Sequence, residues 1–485
     1  MKIARTGLAR ALVALLLMLP ARGTAQAPIP SEQDVALARD IFHELIEINT
    51  TASSGNTTEA AEAMAARLRA AGFTEDDLFI AGPQPRKGNL VARLRGSGQG
   101  GNAILLLAHL DVVEAQREDW SRDPFEFIEE DGYFYGRGTQ DDKAQAAIWI
   151  ATLIRMKRER FAPDRDIIVA LTADEEGGTD NGVVWLLENH RDRINAAFAL
   201  NEGGWGEIRA GRNAVNQLQA SEKVYQSFQL TVRNPGGHSS LPRPDNAINA
   251  LARGIARIAD FHFPVQLNEV SRAYFEKNAQ VESGQAAADM RALAAAQNAD
   301  PAVIQRLAAS PLYNSMMRTT CVATRLDAGH ADNALPQRAT ALVNCRMLPG
   351  SDPEEVRSTL ARIASDTSIH IEPIGQAIPS PPSPLDPAIV RPIERITTEM
   401  WPGAVVVPTM LTGATDGLFL RNAGIPTYGI SGLFYDDVRA HGRDERIGVR
   451  AFHEGQEFLY RLVKALTSGS TARAQAGTLG RGEGG

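Results

Sequence analysis

Four short stretches of the chain concentrate histidine and carboxylate side chains. They are His109-Leu110-Asp111, the run Gly136-Arg137-Gly138-Thr139-Gln140-Asp141-Asp142-Lys143, the run Thr172 to Gly178 around Asp174-Glu175-Glu176, and Asn201-Glu202-Gly203-Gly204. Carboxylates gathered in one place repel one another unless a cation neutralises them. Imidazole with carboxylate and no thiolate suits zinc, cobalt or manganese in a catalytic site better than a structural zinc cluster. On a strand, the two side chains of His-x-Asp share a face. Asp111 is therefore expected to hold one ring nitrogen of His109 while the other meets the metal. Glu175 and Glu176, adjacent in a tight turn, can divide labour, one as ligand and one as base toward an activated water.

Each stretch follows an element that must position it. The runs 104–108 and 167–171 are continuously apolar, as strands buried on both faces are. They lead into His109 and Thr172, and the strand-like Ala197 to Leu200 leads into Asn201. Lys143 to Lys157 reads as a helix, with Ala146, Ile148, Ile150, Leu153 and Ile154 apolar, and Val183 to Glu188 reads as another. Strand, helix, strand, helix describes an open α/β sheet, which binds ligands at the carboxyl ends of its strands. Two amphipathic helices over 32–75 precede it.

After about residue 219 the pattern changes. Tyr225 to Arg233 alternates apolar and polar, helices are expected over Asn246–Ile258, 284–309 and Glu355–Ile363, and Thr340 to Arg346 forms a further strand. This predicts a smaller two-layer α+β domain over 219–375, inserted into a catalytic domain that spans 30–218 and resumes over 376–467. The resumed part holds strands at Val405–Val407 and Pro426–Ile430 and a closing helix, Glu454–Leu466.

The ends carry no chemistry. Lys2, Arg5 and Arg10, a ten-residue apolar run and Ala25-Gln26-Ala27 predict an export signal over 1–25, hence a periplasmic or secreted protein. The run is too short for a membrane span. Residues 468–485, rich in Gly, Ser, Ala and Arg, are expected to be a disordered tail. The 485 residues carry 50 Lys+Arg and 58 Asp+Glu, and loss of four basic leader residues would take the net charge from −8 to about −12. Such a chain has no electrostatic attraction for nucleic acid. With two cysteines it is neither a thiolate-rich zinc module nor a disulfide-built miniprotein. Cys321 and Cys345 lie in strand-like stretches, and a bridge or two buried thiols are both open.

The motifs, together with Gly237-His238-Ser239, Asn333-Ala334-Leu335-Pro336 and His441 with Glu445, resemble the co-catalytic dinuclear zinc metallopeptidases of the aminoacylase and glutamate carboxypeptidase type. That family also holds carnosinase-like dipeptidases and Gly-X carboxypeptidases. The resemblance spans roughly residues 35–466, in the family's order. It implies an open mixed-sheet zinc exopeptidase domain with an inserted lid and dimerisation domain, and two Zn2+ per chain, replaceable by Co2+ or Mn2+. Asp141 would bridge the metals, His109 and Glu202 completing one site, Glu176 and His441 the other. A hydroxide between the metals would attack an amide carbonyl, with Glu175 as general base and Asp111 as orienting carboxylate. His238 would polarise the oxyanion, in many members across a dimer interface. Asn333 would hold substrate and Arg346 would clamp its carboxylate. Gly413-Ala414-Thr415-Asp416-Gly417 stands where the family has a pocket-lining Gly-Gly-Thr-Asp turn, without the arginine that often follows it.

Other features are set aside. His43 to Glu47 lacks the second histidine of a zincin helix. Gly136-x-Gly138 is no nucleotide loop, and without a nucleophile elbow Ser239-Ser240 is no serine nucleophile. His190, His262, His370 and His453 are read as structural; His330, in the loop before Asn333, is a candidate substrate contact. The substrate expected first is a small peptide with a free carboxylate, cut as by a carboxypeptidase or dipeptidase, because export suits peptide scavenging. The alternative is an N-acyl amino acid.

Overall fold

The computed structural model describes residues 27–469. The expected export signal lies outside the described residues, as does all but the first two residues of the expected tail. Among the described residues no helix is long and apolar enough to cross a membrane.

A ten-stranded sheet forms the larger body. At its centre the strands Ile167–Thr172, Ile104–His109, Phe198–Asn201 and Thr427–Gly429 lie side by side and parallel. Their carboxyl ends therefore meet along one edge. The apolar runs are continuous because helices cover both faces. Leu106, Ala108, Val169 and Leu171 face a core shared with the helices Glu32–Glu47, Lys143–Arg158 and Val449–Leu466. Leu105, Leu107, Ile168 and Ala170 face the helix Gly182–Asn189 on the other side. Lys143–Arg158 is buried along most of its length, and Trp149 Nε1 donates to Leu107 O at 3.0 Å. Arg155, Lys157 and Arg158 in its last turn complement the negative end of its dipole.

The smaller body is a four-stranded antiparallel sheet in the order Thr320–Ala328, Arg338–Met347, Val224–Arg233, Ile369–Ile374. The helices Ala247–Asp260 and Pro353–Ala364 cover one face, around Phe228, Leu230, Val343, Leu251 and Leu360. Cys321 and Cys345 are direct neighbours across two of these strands and form a disulfide.

Two expectations about the inserted segment are corrected. The strand Arg212–Glu222 pairs with Val405–Leu411 of the large sheet up to Glu222, so the crossing into the smaller body falls at Lys223 rather than at 219. The helical stretch around 284–309 does not join that body. The helices Glu269–Asn278, Gly284–Ala295, Pro301–Ala308 and Pro311–Met317 share a core with Val215, Val407 and Met410 of the large sheet through Tyr274, Phe275, Met290 and Met316. Apolar periodicity marks a buried face without saying what covers it.

The two parts of the catalytic domain are joined by aromatic packing. Phe42, fully buried, stacks on Phe452 of the closing helix with ring centroids 4.7 Å apart. Phe42→Ala leaves a cavity there and is expected to cost about 3–5 kcal/mol of stability, measured by urea unfolding. A loss under about 1 kcal/mol would show that this stack adds little to the strand pairing that also joins the two parts.

Candidate metal centre

His109 is the last residue of its strand and is almost fully buried. Its Nδ1 lies 2.9 Å from the main-chain oxygen of Asp111, to which it donates, and its Nε2 lies 2.8 Å from Asp141 Oδ1. The other oxygen of Asp141 is 3.2 Å from His441 Nε2, which is also 2.9 Å from Glu176 Oε1. One carboxylate thus addresses two imidazoles, an oxygen to each. Ligand atoms of His109, Asp141 and Glu176 lie within 4.8 Å of one another, as do those of His109, Glu175 and Glu202.

The electrostatics follow from this crowding. Burial raises Glu175 well above the usual carboxylate range, with Asp416, Glu176 and Asp141 adding to the effect against the pull of His109. Burial does the same to Glu202, reinforced by Asp141 and Glu175. For Asp141 burial is outweighed by hydrogen bonds from His109 and His441, so it stays far below its ordinary value. His441 is pushed up to about 10 by its bonds to Asp141 and Glu176. A divalent cation reverses the shifts of Glu175, Glu202 and His441, favouring ionised carboxylates and neutral imidazoles. Two imidazoles, a shared carboxylate and two glutamates, all hard or borderline donors, fit two zinc ions and also suit cobalt or manganese. The adjoining Asp142 Oδ2 is buried without a hydrogen-bond partner.

Asp111 does not play the expected part. It lies beyond the end of the His109 strand, its Oδ1 is 3.7 Å from His109 Nδ1, and the ring bonds to its backbone instead. Its carboxylate accepts the main-chain N–H of Glu175 at 3.1 Å and of Glu176 at 3.0 Å. Asp111 therefore orients the glutamate turn. Asp174, which opens that turn, has φ +65° and ion-pairs with Lys87. A Cβ at Gly178 would stand 1.4 Å from the Asp174 carboxylate, so only glycine closes the turn.

Asp416 sits behind the turn, accepting from Asn181 Nδ2 at 2.6 Å and Thr172 Oγ1 at 3.4 Å, and burial raises it to about 7. Thr415 lines the pocket and is held by Glu222, which is itself paired with buried Arg421. Asn181, Glu222 and Arg421, with Gln140 and Arg137 of the Gly136–Lys143 run, support the site through contacts between distant segments. Nothing in residue type alone marks them, because their partners lie far away along the chain.

The residues expected from the lid stand apart from the metal ligands. Gly237-His238 pairs with Ala334-Leu335, and Ser239 N–H donates to Asn333 O at 2.9 Å, so His238 and Asn333 are neighbours and both exposed. His330 is exposed on the loop after the strand Thr320–Ala328. Arg346 stacks over Tyr225, 4.8 Å from its ring centroid, with its pKa lowered by burial. Among the described residues no hydrogen bond or ion pair joins these four side chains to the metal ligands. Beside the ligands lies a cavity of about 210 Å³, lined by Asp141 and Glu202 and by the apolar Trp205, Leu411, Leu433 and Val438.

A carboxylate shared by two histidines at the carboxyl edge of an interrupted α/β sheet is the ligand arrangement of a metal-dependent hydrolase. The chain belongs to peptidase family M20/M25/M40, whose profile matches residues 105–465. It is 27% identical over 391 residues to human N-fatty-acyl-amino acid synthase/hydrolase PM20D1, covering 76% of this chain and 75% of that one. It is 26% identical to probable carboxypeptidase S-like 2 of Dictyostelium discoideum, covering 78% and 74%. The M20 metallo-carboxypeptidase Sso-CP2 of Sulfolobus solfataricus has the same fold, with a TM-score of 0.65 at 17% identity over 89% of this chain and 99% of that one.

Because Asp111 fixes both glutamates, Asp111→Asn, which keeps one acceptor and opposes an N–H with its amide, is expected to lower kcat about 10–100-fold. Steady-state kinetics on the zinc-loaded protein measure this; an unchanged kcat would remove the carboxylate from the site's support.

Proposed function

We propose that the protein hydrolyses the amide bond joining an acyl group to an amino acid whose carboxylate is free, acting on small peptides as a carboxypeptidase or dipeptidase. The observation that carries the reading is Asp141 shared between His109 and His441 with Glu175 beside them. His109, Asp141 and Glu202 would hold one zinc ion, and Asp141, Glu176 and His441 the other. When bound, such a pair supplies Lewis acidity for the carbonyl and acidifies water.

The remaining roles belong to side chains of this chain. Glu175, raised by burial and fixed through its N–H, takes the proton of the attacking water and returns it to the departing nitrogen. His238 donates to the developing oxyanion. Arg346, with its fork free of carboxylate partners among the described residues, clamps the substrate carboxylate, and Asn333 and His330 contact substrate. These four reach the metals by movement of the lid or from the lid of a second copy, so a homodimer through the smaller body is part of the proposal. The expected export signal and the Cys321–Cys345 disulfide support action outside the cytoplasm, in the periplasm or as a secreted enzyme.

A second reading is an N-acyl amino acid amidohydrolase. The apolar lining by Trp205, Leu411, Leu433 and Val438 supports it, since it offers an alkyl acyl group an apolar place beside the ligands. The likeness to an N-fatty-acyl-amino acid hydrolase points the same way.

Glu175→Gln is expected to keep its zinc and lose turnover by at least ~10²; retained turnover would exclude Glu175 as base. A panel of Gly-Leu, N-acetyl-Leu and N-decanoyl-Leu, each also as its C-terminal amide, separates the two readings. Cleavage of free acids alone is expected, and cleavage of the amides at equal rates would rule out the Arg346 clamp.

A further inference from the structure

The ligands of the two metal positions do not stand on equally firm ground. His109 ends a central strand, and Glu202 directly follows another. His441 is half exposed, has φ +64°, and lies in the stretch 436–445, which contains neither helix nor strand. What fixes this stretch is Gln140, the residue just before the shared Asp141.

Gln140 is buried, and every hydrogen-bonding group of its side chain is used on that stretch or its end. Oε1 accepts the N–H of Arg439 at 2.8 Å and of Ala440 at 3.0 Å. Nε2 donates to Asp437 O at 2.9 Å and to Arg446 O at 2.7 Å. The amide can face only one way, because its four partners are main-chain donors and acceptors. The main chain joins in: Gln140 N–H donates to Glu445 Oε1 at 2.6 Å, and Gln140 O accepts from Tyr435 Oη at 3.4 Å. Glu445 in turn pairs with buried Arg137 at 2.5 Å. One residue thus grips the chain on both sides of His441, and its own neighbour is the carboxylate that His441 must share.

We propose that Gln140 is a positioning residue that presets the distance between His441 and Asp141, and so sets the affinity of the His441–Asp141–Glu176 position for its metal without governing the His109–Glu202 position. The proposal rests on the two-metal reading given above. No side chain other than glutamine offers two donors and two acceptors at this reach; asparagine is a methylene too short, glutamate has no donors, and methionine has the length alone.

The test uses the full chain, stripped of metal and titrated with zinc against a chromophoric chelator. Wild type is expected to bind two zinc ions. Gln140→Met is expected to keep one at wild-type affinity and weaken the other about 10–100-fold. In the metal-free proteins, hydrogen exchange at the amides of Arg439 and Ala440 is expected to be at least about tenfold faster in Gln140→Met, with the central strands unchanged. Gln140→Glu retains the two acceptances, so it is expected to keep those amides protected while still losing affinity at one position. If Gln140→Met fails to fold, the zinc titration of Gln140→Glu decides. Two wild-type affinities in a folded variant, or equal weakening of both, overturn the proposal. Fewer than two zinc ions in wild type would instead overturn the two-metal reading itself.

Discussion

Asp141 offers one oxygen to His109 and the other to His441, and this sharing sets the demands that the rest of the molecule meets. Its neighbours Glu175, Glu176 and Glu202 are negative groups in a buried place, an arrangement that favours protonation of some of them. The protein meets the repulsion with geometry. Parallel strands bring three carboxylate-bearing segments to one edge, backbone N–H groups are held by Asp111, and imidazoles face the shared carboxylate from two sides. The same arrangement that is costly without a cation is a strong ligand set for one.

The two histidines reach Asp141 by different means. Central strands buried on both faces hold their ends rigidly, and His109 inherits that rigidity. His441 inherits none and is held by polar contacts from the Gly136–Lys143 segment. That segment does double work, contributing the shared ligand and, through Arg137 and Gln140, the support of the distant one. The lid, by contrast, presents His238 and Asn333 on an exposed ribbon, and its sheet packs on its own two helices.

Much of this was legible in the residues. The strands around 104–109 and 167–172 announced themselves because burial on both faces leaves an unbroken apolar run, and the polar residues after them marked the site edge. The ligand types were visible for the same reason. Side-chain spacing says nothing about main-chain acceptors, and in this turn the Asp111 carbonyl takes the His109 bond that the spacing assigns to its carboxylate. The helices of 269–317 were visible as helices, but their periodicity is satisfied equally by the lid and by the large sheet. Gln140 was invisible because its partners are backbone groups some three hundred positions away.

The packing of Phe42 on Phe452 brings the beginning of the catalytic domain against its end. His441 lies just before that closing helix, on the far side of the lid insertion. A chain emerging from its N-terminus can fold the lid and gather His109, Asp141, Glu175 and Glu176 early, yet has no second imidazole until almost all of it has been made. Completion of the active centre is thereby tied to near-completion of the polypeptide, and a chain cut short before His441 carries at most half a site.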